Sequence, residues 1–243
     1  MSSTAQVLFC GETYVLSPGH PLSLGRVADV VLDEDNPYLH RRFLAMSMGA
    51  GLVWIENIGS QLSATLADEH GLVQTWLAPG AKVPVVFPRS VVFFTAGPTT
   101  YEFEILVEDP PFTTAAPDQV TVDSTTLGRV TLTPDQKMLC LVLSEAILRR
   151  GASGRGQIPP SARAAERLGW TTTKFNRKLD NVCEKLARLG VRGLTPAPGQ
   201  PASGRRARLV EYVLASRLLV EDDLALLAEV DQAARRQHPQ RPS

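Results

Sequence analysis

Tyr101-Glu102-Phe103-Glu104-Ile105-Leu106-Val107 has the clearest periodicity in this 243-residue chain. Tyr101, Phe103, Ile105 and Val107 fall on one side and Glu102 and Glu104 on the other. Only an extended strand sustains that period of two, because its successive Cβ atoms point to opposite faces. On the N-terminal side, other short runs are rich in β-branched and aromatic residues: Val7-Leu8-Phe9-Cys10, Thr13-Tyr14-Val15-Leu16, Val30-Val31-Leu32, Leu52-Val53-Trp54-Ile55, Val83-Pro84-Val85-Val86-Phe87 and Val91-Val92-Phe93-Phe94. Turn formers part them at Ser17-Pro18-Gly19, Asp35-Asn36-Pro37, Gly49-Ala50-Gly51, Ala78-Pro79-Gly80 and Gly97-Pro98. Short strands at this spacing, with no helical period, predict an all-β sandwich or barrel over residues 4–107.

Beyond residue 107 the character changes. Glu108-Asp109-Pro110-Pro111 and the threonine-rich stretch that follows read as a linker, stiffened at the prolines. The period then becomes helical. Thr133-Pro134-Asp135 is a helix start, and Leu139, Val142, Leu143, Ala146 and Ile147 form one apolar stripe that ends near Arg149-Arg150-Gly151. The chain therefore divides into a sandwich (1–108), a linker (109–127), a mainly α-helical domain (128–236) and a disordered tail (237–243). A final helix is expected over Asp222–Arg235.

Charge divides the same way. Formal net charge is zero, yet residues 1–116 hold five Lys/Arg against twelve Asp/Glu, and residues 149–217 hold fifteen against four. A basic segment of that density attracts polyanions. No run approaches the roughly 18 apolar residues of a membrane helix. The N-terminus lacks the basic and apolar pattern of an export signal. Three cysteines without a C-x-x-C spacing suggest reduced, buried thiols, which together predict a cytoplasmic protein. The four histidines are scattered and share no metal-ligand spacing, and there is no phosphate-binding glycine loop and no nucleophile-elbow or kinase signature. The expectation is a non-enzyme without cofactor or metal.

Within the basic segment, Ser161 can cap a short helix over 162–168 that Gly169 ends. Thr171 or Thr172 can cap a second helix, in which Phe175, Leu179, Val182, Leu186 and Leu189 make one apolar stripe opposite Lys174, Arg177, Lys178, Lys185 and Arg188. Residues 158–190 resemble a helix-turn-helix. The basic Arg205-Arg206-Ala207-Arg208 beyond it resembles the wing of a winged form, although Leu209–Leu214 fits a helix as well as a strand. The resemblance implies duplex DNA as a partner of residues 149–217. Thr172, Thr173, Lys174, Asn176 and Arg177 would lie at the major groove, and Lys178, Lys185, Arg205, Arg206 and Arg208 on phosphates.

Leu24-Gly25-Arg26, Asp35–Phe43 and Ile55-Glu56-Asn57-Ile58-Gly59-Ser60 resemble, in order and spacing, the motifs of the forkhead-associated (FHA) family. The resemblance covers about residues 4–107. It implies an eleven-stranded β-sandwich that binds phosphothreonine peptides through loops at one end, with Arg26 gripping phosphate and Arg41 and Ser60 in support. The sequence departs from the family pattern at three places. His40 replaces the phosphate-binding serine, Phe43 replaces a histidine, and residues 61–65 lack the peptide-gripping asparagine of an Asn-Gly-Thr segment. Two readings stay open for His40: a protonatable phosphate contact beside Arg26, or a structural side chain in a sandwich kept for docking. The combined expectation is a DNA-binding regulator carrying a variant phosphopeptide-binding sandwich, within serine/threonine-kinase signalling. The alternative is an adaptor in which both domains bind proteins. The linker threonines Thr113, Thr114, Thr121, Thr125 and Thr126 are candidate phosphorylation sites that the sandwich would hold in cis.

Overall fold

A computed structural model describes residues 4–112, 130–149, 154–195 and 203–237. Most of the linker, with its threonines, and the tail beyond 237 lie outside the described residues.

Residues 5–107 form eleven strands: β1 (Ala5–Phe9), β2 (Glu12–Leu16), β3 (Leu22–Gly25), β4 (Val30–Val31), β5 (Leu44–Gly49), β6 (Leu52–Asn57), β7 (Ala64–Asp68), β8 (Gln74–Leu77), β9 (Lys82–Val85), β10 (Arg89–Ala96) and β11 (Thr99–Val107). They make two sheets in the orders β2-β1-β11-β10-β7-β8 and β4-β3-β5-β6-β9, packed face to face as a sandwich. The alternation in β11 sets the inner face. Tyr101, Phe103 and Ile105 are fully buried between the sheets with Leu24, Phe43, Ile55 and Phe94. The ring of Tyr101 stacks on that of Phe94, its register partner on β10, with centroids 4.8 Å apart. Gly49-Ala50-Gly51 is the β5–β6 turn, with Ala50 and Gly51 both at positive φ.

The rest is helical: α1 (Pro134–Leu148), a strand β12 (Gly154–Gln157), α2 (Ser161–Arg167), α3 (Thr172–Arg188), α4 (Ser203–Ala215) and α5 (Leu224–Gln237). The threonine caps act as expected. Thr133 Oγ1 accepts from Gln136 N while Gln136 Oε1 accepts from Thr133 N, a reciprocal capping box. Thr171 Oγ1 accepts from Lys174 N at the start of α3. Pro160, which has no side-chain donor or acceptor, takes the cap position of α2 in place of Ser161. Phe175, Leu179, Val182 and Leu186 are buried, but Leu189 follows the last turn of α3 and is exposed.

The structure adds to or corrects the sequence reading at four points. First, β11 has no solvent face at its centre. Glu102 and Glu104 are buried because the helices pack over that side of the sheet, and Ala67, Val91 and Phe93 share a core with Leu139, Leu143, Val213 and Leu214. Second, the division near residue 108 does not divide the packing. β12 pairs antiparallel with the first half of β11, continuing the line that β1 occupies along its second half. Third, no wing is formed at Arg205, Arg206 and Arg208. These residues lie on α4, whose Leu209, Val210, Val213 and Leu214 recur with helical spacing and are buried. Fourth, Cys140 and Cys183 are buried as expected, whereas Cys10 is exposed at the β1–β2 turn.

Candidate functional site

Three loops meet at one end of the sandwich: β3–β4, β4–β5 and β6–β7. Backbone bonds hold the first two together. Arg26 N donates to His40 O and Val27 N to Arg41 O, each at 2.9 Å. Gly25 permits this approach, since a Cβ there would stand 2.4 Å from Arg41 O. Asp29 anchors the far side of the β3–β4 loop by accepting from Ser23 N and Ser23 Oγ at 2.8 and 2.6 Å. Those bonds, with the nearby Arg42 charge, hold its carboxyl below the usual range. Asn57 shapes the third loop from a fully buried position. Its Nδ2 donates to Leu62 O and Leu77 O, and its Oδ1 accepts from Gly59 N.

His40 joins the second loop to the third. Ser60 N donates to His40 Nε2 at 3.1 Å, and Ser60 Oγ lies 3.4 Å from the same atom. An Nε2 that accepts a backbone N–H carries no proton, which leaves Nδ1 as the donor of the ring. Nδ1 is buried with no partner among the described residues. The ring also lies parallel to Phe43, centroids 5.9 Å apart, and Phe43 is fully buried against Phe94. In this arrangement His40 ties the second loop to Ser60 and packs against Phe43.

Arg26 is left with unspent capacity. It is half-buried, it forms no ion pair among the described residues, and its Nε is buried without a hydrogen bond. Arg41 and Arg42 are exposed on the adjoining loop and also lack an ion pair among the described residues. Arg42 was not singled out from the sequence. Its place beside Arg41 was visible there, but no motif position pointed to it. Together these groups form a cationic loop end with a serine hydroxyl at its edge.

The basic helical residues separate into two groups. Thr172, Thr173, Asn176 and Arg177 are exposed on the first turns of α3, just after the tight turn at Gly169 (φ 64°). The Lys174 ammonium lies 4.4 Å from the centroid of the Trp170 ring. The remaining candidates are committed inside the molecule. Lys178 pairs with Asp135 and Arg205 with Asp180, each at 2.9 Å. Lys185 donates to Thr131 O. Arg206 donates to Pro159 O and Ser161 Oγ, and burial lowers its basicity. Arg208 reaches Thr65 Oγ1 on the sandwich at 2.5 Å and lies 3.4 Å from the buried Glu211 carboxylate. Among the described residues no cluster of His, Cys, Asp or Glu could hold a metal, and no helix is long and apolar enough to cross a membrane.

No protein-family model matches the chain, and a search of curated proteins gives no match. Among solved structures, the chain is similar to the FHA-1 domain of Mycobacterium tuberculosis Rv1747, at 17% identity over 44% of this chain and 98% of that one, with a TM-score of 0.33. It is also similar to the FHA domain of an Arabidopsis thaliana hypothetical protein, at 16% identity over 47% and 92%, with a TM-score of 0.34. A third similar structure comes from work on phosphothreonine-dependent FHA domain interactions, at 20% identity over 46% and 100%, with a TM-score of 0.30.

Proposed function

We propose that this chain is a docking protein whose sandwich loops take a phosphorylated peptide. The supporting observation is Arg26, a guanidinium without a carboxylate partner among the described residues whose buried Nε lacks an acceptor. A buried donor left unpaired costs about 1–3 kcal/mol, and a phosphate oxygen would remove that cost. The planar fork of arginine matches two phosphate oxygens at once, and Arg41, Arg42 and Ser60 add charge and a hydroxyl at the rim. With His40 engaged on Ser60 and no asparagine at 61–65, affinity rests more on the phosphate than on the peptide backbone. The test uses the full chain against a phosphothreonine and phosphoserine peptide library, beside Arg26→Ala. Capture by wild type that disappears in the variant supports the reading. Equal capture of phosphorylated and unphosphorylated peptides overturns it.

A second reading concerns the helical half and is favoured by one observation: the first two turns of α3 present Thr172, Thr173, Asn176 and Arg177 to solvent after a tight helix-turn-helix turn. These side chains, with Lys174, would enter the major groove of duplex DNA, the arginine and asparagine being suited to base edges. Lys178, Arg205, Arg206 and Arg208 hold the fold in this version, so few phosphates are neutralised. Log affinity against log salt is then expected to have a shallow slope, about 0.9 per phosphate. Retention of full affinity in Arg177→Ala would remove α3 from the interface, and no binding at low salt would leave the protein adaptor.

A further inference from the structure

A cavity of about 230 Å³ lies between the covered face of the larger sheet and the helices, away from the loop end of the sandwich. Its floor is Phe93, Glu102 and Glu104. Ile147 and Leu148 from the end of α1, with Leu214 of α4 and Leu219, make its walls. Glu69, Arg217 and Glu221 stand at its mouth. The volume exceeds the roughly 150 Å³ of an apolar cavity that accepts benzene.

Charge in the cavity is unbalanced. Glu104 is matched by Arg89, whose Nη2 stands 2.7 Å from both carboxylate oxygens. Glu102 has no such match. It is 8% exposed and lines the cavity, with no hydrogen bond or ion pair among the described residues. Arg217 is near enough to act on it through space, yet that side chain donates to Glu69 O at the mouth. A mostly buried carboxylate without a hydrogen-bonded partner is poorly hydrated and only partly compensated by charges at a distance. A ligand with charged N–H groups would add the hydrogen bonds that Arg217 and Arg89, acting on Glu102 only through space, do not make to it.

We propose that this cavity binds a small organic cation, an ammonium or guanidinium group on a short aliphatic body, with Glu102 receiving the charge. Ile147, Leu148, Leu214 and Leu219 can pack against the body of such a ligand, and no cluster of His, Cys, Asp or Glu among the described residues could hold a metal ion. Four glutamates against two arginines exclude an anion. Because the cavity is walled by both the sheet and the helices, an occupant would tie the two together and raise the stability of the whole chain. This inference is independent of the phosphopeptide reading, since it uses none of the loop residues.

Glu102 supplies a second handle. Burial pushes its carboxyl up to about 7, with Glu104 pushing the same way and Arg217 and Arg89 opposing. Only the ionised form attracts a cation. Glu104, held by Arg89, and Glu69, Glu221 and Arg217 at the mouth face the same space, and the ionised fraction of Glu102 falls about tenfold between pH 8 and pH 6.

The experiment titrates the full chain with n-butylamine and with agmatine by calorimetry, using 1-butanol as the uncharged control, and follows thermal unfolding in parallel. Binding of at least one amine at pH 8, about tenfold weaker at pH 6 and without a counterpart for 1-butanol, is the expected result. Glu102→Gln is expected to lose about tenfold at pH 8 and to abolish the pH dependence. Absence of heat and of any thermal shift with both amines overturns the proposal, as does amine binding that is indifferent to pH in the wild type. The wild-type pH series keeps the test decisive should the variant fold poorly.

Discussion

Gly25 and Asn57 do opposite jobs at the loop end, one by lacking a side chain and the other by spending all of its own. A Cβ at Gly25 would strike the Arg41 carbonyl, which belongs to the loop that must close on Arg26. Gly25→Ala is therefore expected to cost about 1–3 kcal/mol in urea unfolding and to weaken phosphopeptide capture. His40→Ala removes the acceptor for Ser60 N. Its expected effect is a loss of phosphopeptide affinity smaller than that of Arg26→Ala, read by fluorescence anisotropy, because the phosphate contact itself remains. Gly25, Arg26, Asn57, Gly59 and Ser60 were singled out in the sequence through the family resemblance, whose motifs they match in order. The role of His40 was not legible there. Its partner lies 20 residues away, and which ring nitrogen is engaged depends on how two loops approach.

Among the elements, α3 was readable and β12 was not. The stripe from Phe175 to Leu186 has a helical period that no strand could satisfy, and Phe175 is fully buried. Phe175→Ala should cost about 3–5 kcal/mol, measured by chemical denaturation. Gly154-Arg155-Gly156-Gln157 contains no strand former, and it is extended because β11 offers an edge and α1 presses from the other side. Gly156 fits only without a side chain, since a Cβ would lie 2.7 Å from the Ala146 backbone. Arg155 of β12 pairs at 2.9 Å with Asp33, whose Oδ2 accepts from Tyr101 Oη. That hydroxyl in turn accepts from Asn36 of the β4–β5 loop. The segment at 205–214 shows the limit of pattern reading. Its apolar spacing suits helix and strand alike, and in the fold it is a helix packed on β10 and β7.

Across the whole molecule the two halves are chemically matched. One ion pair, Arg155–Asp33, joins the acidic sandwich to the basic segment, while Arg208 and Arg217 donate to the Thr65 hydroxyl and to the Glu69 backbone carbonyl. Part of the charge asymmetry seen in the sequence is thus satisfied internally, which lowers what is left for an outside polyanion. The same interface buries Glu102 and Glu211, and desolvation pushes both carboxyls up to about 7. A carboxyl whose folded pKa exceeds its unfolded value holds more protons in the native state. Stability from these two groups is present below about pH 4.5 and is lost as pH rises to about 7. The expected result is a fall in unfolding free energy across that window, on the order of 3 kcal/mol for each group, which Glu102→Gln would reduce. Removing residues 128–243 would bare Val91, Phe93 and Glu102, so the isolated sandwich is expected to melt lower and aggregate.

The sequence by itself determined the all-β character of the first half, the inner face of β11 and the threonine caps, because each follows from local spacing or backbone stereochemistry, while the glycine and arginine of the loop end were read from the family resemblance. Only the tertiary structure decided that helices close over the outer face of the sheet, that four residues of glycine and polar character become a strand, and that most of the suspected DNA-contacting cations have partners within the chain. Those outcomes depend on which surfaces meet across more than a hundred residues of chain. The free energy of burying apolar area records how much is covered and leaves no periodic trace of which partner covers it.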